Sequence, residues 1–253
     1  MKDIIIGDEH CRGKFKTIYE QVYRNLDIRY IVCVGDYLDP YDPISLEQRM
    51  SFFNSIVKIA AQDSRVKLLL GNHDMHYLLP TGDKSRRDSF NAVSIKKAFF
   101  DNLNLFQIAL ELDKDTVVSH AGISPAWLKK HNYHSIDEVN SSILNSFVDT
   151  TKIAERSSVR YYDGDFSGYG DDILQPPTWI RPRALLYQAK DWKWKTQIVG
   201  HTRTDSVGYE EYILGKFSNG ILFNGEIVKI PIEDKQLIMV DTGDNMNYFT
   251  FGG

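Results

Sequence analysis

Two cysteines, Cys11 and Cys33, are all that 253 residues contain. That is too few for a disulfide framework, and their separation gives no CxxC spacing for zinc or redox work, so a reducing cytoplasm is the expected setting. Long apolar runs are lacking too. The N-terminal block is three isoleucines, Ile4 to Ile6, and no segment approaches the ~20 residues of a membrane span or the core of a signal peptide. Positive charge is in no excess: thirty Lys and Arg stand against thirty-four Asp and Glu, a net charge of −4. The densest basic stretch, Lys84-Ser85-Arg86-Arg87, reads as a solvated loop, with a phosphate-binding patch as the alternative. Nucleic acid and membrane are therefore not the expected partners. Internal repeats and low-complexity linkers are missing as well. The 42% of hydrophobic residues is ample for a core, and one domain over residues 1–253 is the expectation.

What the chain does have is a recurring pattern. "IIIGDEH" runs three β-branched residues straight into a glycine, two carboxylates and a histidine. Such a run suits a strand buried on both faces, whereas Asp and His are costly to bury without a partner. The pattern returns in "YIVCVGDYLD" (30–39), "VKLLLGNHD" (66–74), "TVVSHAG" (116–122) and "TQIVGHT" (196–202). Five predicted strands thus end in Asp, Asn or His. In open α/β sheets, ligands lie beyond the carboxyl ends of the strands, so these positions can meet at one place. Between them lie helical patterns. "GKFKTIYEQVYRNL" puts Phe15, Ile18, Val22 and Leu26 on one face, and "SIDEVNSSILNSFV" opens with a capping box from Ser135 to Glu138. Alternating strands and helices imply an α/β fold with a βαβ core. Toward the C-terminus, Asn224-Gly225 between two β-type runs predicts a hairpin and a second, more antiparallel sheet that ends in "KQLIMVDTG". Residues 161–177, rich in Gly, Asp and aromatics, read as a long loop beside the site or as a surface excursion.

Asp8, His10, Asp36, Asn72, His120 and His201 supply carboxylate, amide and imidazole donors. A mixed oxygen and nitrogen set suits Mn²⁺, Fe or Zn²⁺ better than Ca²⁺, and the lack of thiolates argues against structural zinc. Six donors exceed one open catalytic site. A carboxylate such as Asp36 can bridge two ions, a pair suited to displacement at phosphorus. A lone histidine at a strand end is usually a hydrogen-bonded structural residue, but these occur together. His76, His131 and His134 fall outside the motifs and read as surface or structural residues.

"GDEH", "GDYLD", "GNHD", "SHAG" and "VGHT", in this order, resemble the calcineurin-like metallophosphoesterase superfamily. They are closest to its phosphoprotein phosphatase branch, which includes bacterial-type Ser/Thr phosphatases and diadenosine tetraphosphatases, and "MVDTG" (239–243) resembles that branch's closing strand. The resemblance implies a four-layer αββα sandwich with two central mixed β-sheets. It implies that Asp8 and His10 hold one ion, that Asp36 bridges both, and that Asn72, His120 and His201 hold the second. It implies that a hydroxide between the ions attacks phosphorus directly, without a phosphoenzyme. His73 then becomes a catalytic proton donor, oriented by Asp39; a core-satisfied histidine and a turn-forming aspartate are the bland alternatives.

One departure bears on substrate. Where the branch follows "GDYLD" with an arginine that grips the phosphate, this chain has Pro40-Tyr41. Arg12 and Arg181, the latter in a Trp-x-Arg segment similar to bacterial members, are the candidate replacements; Arg183 and Arg203 are weaker candidates that read rather as surface charges. The expected function is a manganese-dependent phosphatase of the Ser/Thr protein type. A diadenosine tetraphosphatase or other small phosphate ester hydrolase is the alternative, and a non-catalytic scaffold on the same fold is the reading from another class. Tyr161, Tyr162, Phe166, Tyr169 and Trp179 are candidates to stack a base or to pack a lid.

Overall fold

The computed structural model describes residues 1–79, 86–148, 170–205 and 225–253. It contains two five-stranded mixed sheets. The first has the order β10-β1-β2-β3-β4, built from Tyr248–Phe251, Lys2–Ile6, Ile28–Cys33, Val66–Leu69 and Phe106–Gln107. The second has the order β5-β6-β7-β9-β8, built from Ala109–Asp113, Thr116–Ser119, Thr196–Val199, Lys235–Met239 and Val228–Ile232. β1 to β4 run parallel and β10 joins antiparallel to β1. In the second sheet β6, β7 and β9 are parallel, while β5 and β8 close its edges antiparallel.

The period of two along each strand stacks these sheets. Ile5, Val32, Val34 and Leu69 face Val118, Ile198 and Ile238 in one apolar layer, so the sheets pack face to face. Their neighbours Ile4, Ile6, Ile31, Cys33 and Leu68 point the other way. There they meet Phe15, Ile18 and Val22 of α1 (Lys14–Val22), Phe53 and Ile56 of α2 (Leu46–Gln62), and Ile95 and Phe99 of α4 (Ala92–Asp101). On the outside of the second sheet, Val199, Leu237 and Met239 pack against Ala184, Leu185 and Leu186 of α7 (Pro182–Tyr187). Helices, sheet, sheet and helix give the expected sandwich. Each large aliphatic side chain so buried contributes about 1.5–3 kcal/mol.

Local chemistry sets the helix ends. α2 starts at a full capping box, Ser45 with Gln48. α6 (Ile136–Val148) starts at Ser135, whose hydroxyl accepts from Glu138 N at 3.2 Å; the Glu138 carboxylate reaches His134 N at 2.6 Å, so the return bond lands one residue early. α1 stops at Val22, and Leu26, predicted on its apolar face, lies beyond the helix and is 89% exposed. The C-terminal hairpin turns at Glu233-Asp234, between β8 and β9. Asn224, placed by the sequence at a turn, lies outside the described residues, as do Tyr161, Tyr162, Phe166, Tyr169, Lys84 and Ser85. No helix among the described residues is long and apolar enough to cross a membrane.

Candidate metal centre

Asp8, Asp36, Asn72, His120 and His201 each stand within three residues of the carboxyl end of β1, β2, β3, β6 and β7. The first three come from one sheet and the last two from the other, and they converge where the parallel ends of both sheets meet. The loops that carry them are backbone-strained. His10, Asp36 and His201 have φ of 43°, 61° and 62°, the left-handed region that side-chain-bearing residues seldom occupy. Two glycines let the ligands close in. A Cβ on Gly71 would fall on Asp36 Oδ1, and one on Gly200 would fall on Asp8 Oδ1.

Buried hydrogen bonds hold this geometry. Asp74, in α3 (Asn72–Leu78), accepts from Asp36 N, Tyr37 N and Gly71 N at 2.8, 2.9 and 2.8 Å, tying the loop after β2 to the one after β3. Burial lifts its carboxyl to about 6 against those three donors. Tyr37 donates its hydroxyl to Leu69 O at 2.8 Å and packs its ring on Phe53 and Phe106. Glu9 turns the chain into α1 by accepting from Gly13 N and Phe15 N at 2.6 and 2.9 Å.

The histidine tautomers show what the cluster is built for. His10 Nδ1 lies 2.7 Å from Asp39 O and His120 Nδ1 lies 2.9 Å from Val34 O. A carbonyl oxygen only accepts, so each Nδ1 carries a proton, and the neutral form of each ring presents its lone pair at Nε2. His10 is held neutral, burial pulling its pKa to about 3. Yet His10 Nε2 points at Asp36 Oδ2, 3.5 Å away, and at Asp8 Oδ2, 4.0 Å away. His120 Nε2 lies 2.9 Å from Asn72 Oδ1 and 3.5 Å from Asp36 Oδ2, and His201 Nδ1 approaches the same Asn72 Oδ1 at 2.9 Å. The His10 and His120 lone pairs so aimed repel the acceptor oxygens unless a cation lies between them. All six sequence-predicted ligands are therefore brought together in an arrangement that fits metal ions, and Asp36 touches both groups of donors.

His73 occupies the remaining wall. Its backbone N donates to Asp36 Oδ1 at 3.0 Å and its Nδ1 lies 3.0 Å from Asp39 Oδ2. Burial acts to lower its pKa, but the Asp36 and Asp39 carboxylates outweigh it and leave the ring more basic than usual. Asp39 is itself held at about 2, its burial offset by bonds from His73, His76 and Tyr77. His76, read from sequence as surface or structural, is buried at 3% exposure with Nε2 2.8 Å from Asp39 Oδ2, which fits the structural alternative. Tyr77 completes the grip by donating its hydroxyl to Asp39 Oδ1 at 2.6 Å. The signal was present as three polar aromatic rings at 73, 76 and 77, spaced to share one helix face. His131 is half-buried against Trp127, and His134 is exposed.

The arginines sort differently from expectation. Arg12 lies beside the centre, Nη1 3.5 Å from Asp8 O and Nε 2.8 Å from Asp244. Arg181 bonds His201 O and Thr202 Oγ1 through Nη1 at 3.2 and 3.1 Å. Arg183 is exposed, as expected. Arg203, read as a surface charge, and Arg86, read as part of a solvated loop, both lie against the Tyr41 ring, 4.9 and 3.6 Å from its centre. Trp179 is buried with its ring 5.4 Å from that of His201, so it packs the floor of the site. Sequence reading also passed over Asp241, two residues beyond β9. It is buried, and burial together with Asp8 raises its pKa to about 8, while Lys14 and Arg12 oppose the rise.

Similarity to known proteins agrees with this architecture. The chain is similar to symmetrical bis(5'-nucleosyl)-tetraphosphatases, with 32% identity over 135 residues to that of Pectobacterium atrosepticum and 29% to that of Erwinia tasmaniensis. These matches cover 50% of this chain and 45% and 46% of the relatives, so the matched region spans less than half their length. Among solved structures, the cold-active protein-tyrosine phosphatase of a psychrophile, Shewanella SP., superimposes over 96% of this chain and 71% of its own. Its TM-score of 0.55 at 16% identity is a likeness of fold. A family model described as calcineurin-like phosphoesterase matches residues 1–202 of the 253, and with the strand-end donors in place the chain belongs to that family.

Proposed function

We propose that the chain is a phosphate ester hydrolase working with two divalent ions. Asp8, His10 and the bridging Asp36 would hold one ion, and Asp36, Asn72, His120 and His201 the other. The aim of His10 Nε2 and His120 Nε2 at Asp36 and Asn72 oxygens, with Nδ1 of each ring bonded to a carbonyl, carries this reading. When bound, such ions, with Mn²⁺ the expected kind, supply positive charge to the phosphoryl oxygens and a water of lowered pKa as nucleophile.

The side chains supply the rest. His73 Nδ1 is engaged by Asp39, which leaves Nε2 to hold the proton that the departing oxygen takes. Asp36, Asp39 and Asp74 make that ring more basic than an ordinary imidazole, against the effect of burial. Arg12 and Arg181 flank the centre on the Asp8 and His201 sides and are placed to meet non-bridging oxygens of a phosphate. No side chain is required as nucleophile, so no phosphoenzyme forms.

For substrate, the tetraphosphatase relatives support a dinucleoside polyphosphate over a phosphoserine or phosphothreonine protein. The test is kcat/KM of the Mn²⁺-loaded chain on diadenosine tetraphosphate, a phosphoserine peptide and an aryl phosphate. The dinucleotide is expected to lead and chelation to abolish turnover. Preference for the peptide would return the assignment to a protein phosphatase, and full turnover in metal-free protein would overturn the metal reading.

A further inference from the structure

Pro40-Tyr41 stands where related phosphatases carry a phosphate-gripping arginine, and the structure gathers three arginines from elsewhere onto that tyrosine. The guanidinium carbons of Arg12, Arg86 and Arg203 lie 4.8, 3.6 and 4.9 Å from the Tyr41 ring centre. They arrive from the loop after β1, from the segment before α4 and from the loop after β7. The ring's edge meets the metal-ligand candidate His10 at 4.7 Å between ring centres, so the group borders the metal centre. Three like charges on one ring repel one another. The aromatic face offsets part of that cost, and two carboxylates offset more: Asp244 takes Arg12 Nε at 2.8 Å and Asp205 takes the Arg203 fork at 2.8 and 2.6 Å.

The pairing is incomplete. Arg12 Nη2 is buried and has no hydrogen-bond partner among the described residues. Arg86 has only the Pro40 carbonyl there, 3.2 Å from Nη2, and no carboxylate. A buried guanidinium nitrogen without an acceptor is rare in a folded protein and marks a position for an incoming anion. The phosphate at the metal centre does not account for all three arginines, since among the described residues Arg86 bonds the Pro40 carbonyl and Arg203 bonds Asp205, and neither bonds a metal-ligand candidate.

We infer that Tyr41 and its arginines form a second anion subsite, which takes the phosphates next in line to the one at the metal centre and so selects substrates with a phosphoanhydride chain. The inference rests on the hydrolase reading above and adds to it the residues that read the chain. Arg12 would reach the nearer linked phosphate, and Arg203 and Arg86 the farther ones, while Tyr41 keeps the three forks from splaying.

Calorimetric titration of the full chain, at fixed free Mn²⁺, with AMP and with its β,γ-methylene triphosphate counterpart tests this without turnover. The two ligands share base and ribose and differ in chain length. The parent is expected to bind the triphosphate at least about 10-fold tighter than AMP. Arg86→Ala and Arg203→Ala should each weaken the triphosphate about 10-fold and AMP less than about twofold, a selective loss of at least about 1 kcal/mol. Arg86→Lys, which keeps the charge, should recover part of the difference. Arg86 is exposed, so its replacement does not threaten the fold. Equal losses for both ligands would place these arginines on the reacting phosphate alone, and no loss would make the cluster structural; either result overturns the inference. Because only binding is read, an absence of hydrolysis would sink the enzyme reading while leaving this result interpretable.

Discussion

His76 Nε2 stands 2.8 Å from Asp39 Oδ2, the same oxygen that receives His73 Nδ1 at 3.0 Å. Asp39 is therefore clamped between a group that faces the site and one that faces the core, with Tyr77 on its other oxygen. A carboxylate so fixed orients His73 and leaves it one productive rotamer. Replacing His76 with Ala is expected to lower kcat roughly 10–100-fold, the range for partners that orient a functional group, with KM and Mn²⁺ content little changed. The decisive measurement is the double variant with His73→Asn. If His76 acts through His73, its loss costs nothing further once His73 is gone; an additional loss of the same size would make it merely structural.

His73 is assigned to proton transfer and Asn72, its neighbour, to the metal. His73→Asn should then reduce kcat by about 10² to 10⁴, the usual worth of a positioned acid, while metal analysis still finds two ions per chain. Its backbone bond to Asp36 Oδ1 survives the substitution, so the ligand is not released. Loss of an ion from this variant would move His73 into the coordination set.

The strand-end motifs make most of the fold legible from the sequence. A buried β-type run that stops at a glycine and a metal-type side chain marks both a strand and the polar position at its end, and Asp8, Asp36, Asn72, His120 and His201 are all legible as strand-end positions that way. Residues that act across the fold were not. Asp39 is contacted by His76 only because α3 turns back over the loop after β2, and Arg86 and Arg203 meet on Tyr41 from positions 117 residues apart in the chain (203 − 86). Charge alone made them look like solvated side chains. Leu26 failed for the opposite reason: its spacing fits the helix, but the helix ends at Val22, and periodicity carries no information about where a helix stops.

Asp36 and Asp8 are both buried beside the same histidines, and burial raises the Asp36 pKa well above its ordinary value. Without cations that proximity is a cost; with them it is the source of binding. Asp36→Asn keeps the left-handed backbone, which Asn tolerates, and the bond to His73 N. Two ions per chain should fall toward none. The parent should lose thermal stability on chelation, by about 2.7 kcal/mol if the ion had been present at 100 times its Kd. The variant should not respond to chelation, and metal-free it should be at least as stable as the metal-free parent. A variant that retains both ions would refute the bridging role of Asp36.

Behind Asp39 lies a second, half-buried support. Asp88 N donates to the Tyr77 hydroxyl at 2.9 Å, and the Asp88 carboxylate accepts from Arg49 and from Asn91 N and Nδ2 at 3.0 and 2.7 Å. Partial burial works to raise the Asp88 pKa, but these donors outweigh it and hold the carboxyl at about 2, below its ordinary 3.8. A folded-state pKa below the unfolded one means that Asp88 adds stability while it is ionised in both states, and that the addition disappears as pH falls through about 2. In metal-free protein the difference in urea midpoint between the parent and Asp88→Asn should be full at pH 7 and pH 5 and shrink steadily from about pH 4 downward. The comparison isolates one group, because every other carboxylate titrates in both proteins. A difference that stays level to pH 2 would mean that Asp88 contributes by its shape and not its charge, and that Arg49 needs no anion to brace the helix under the site.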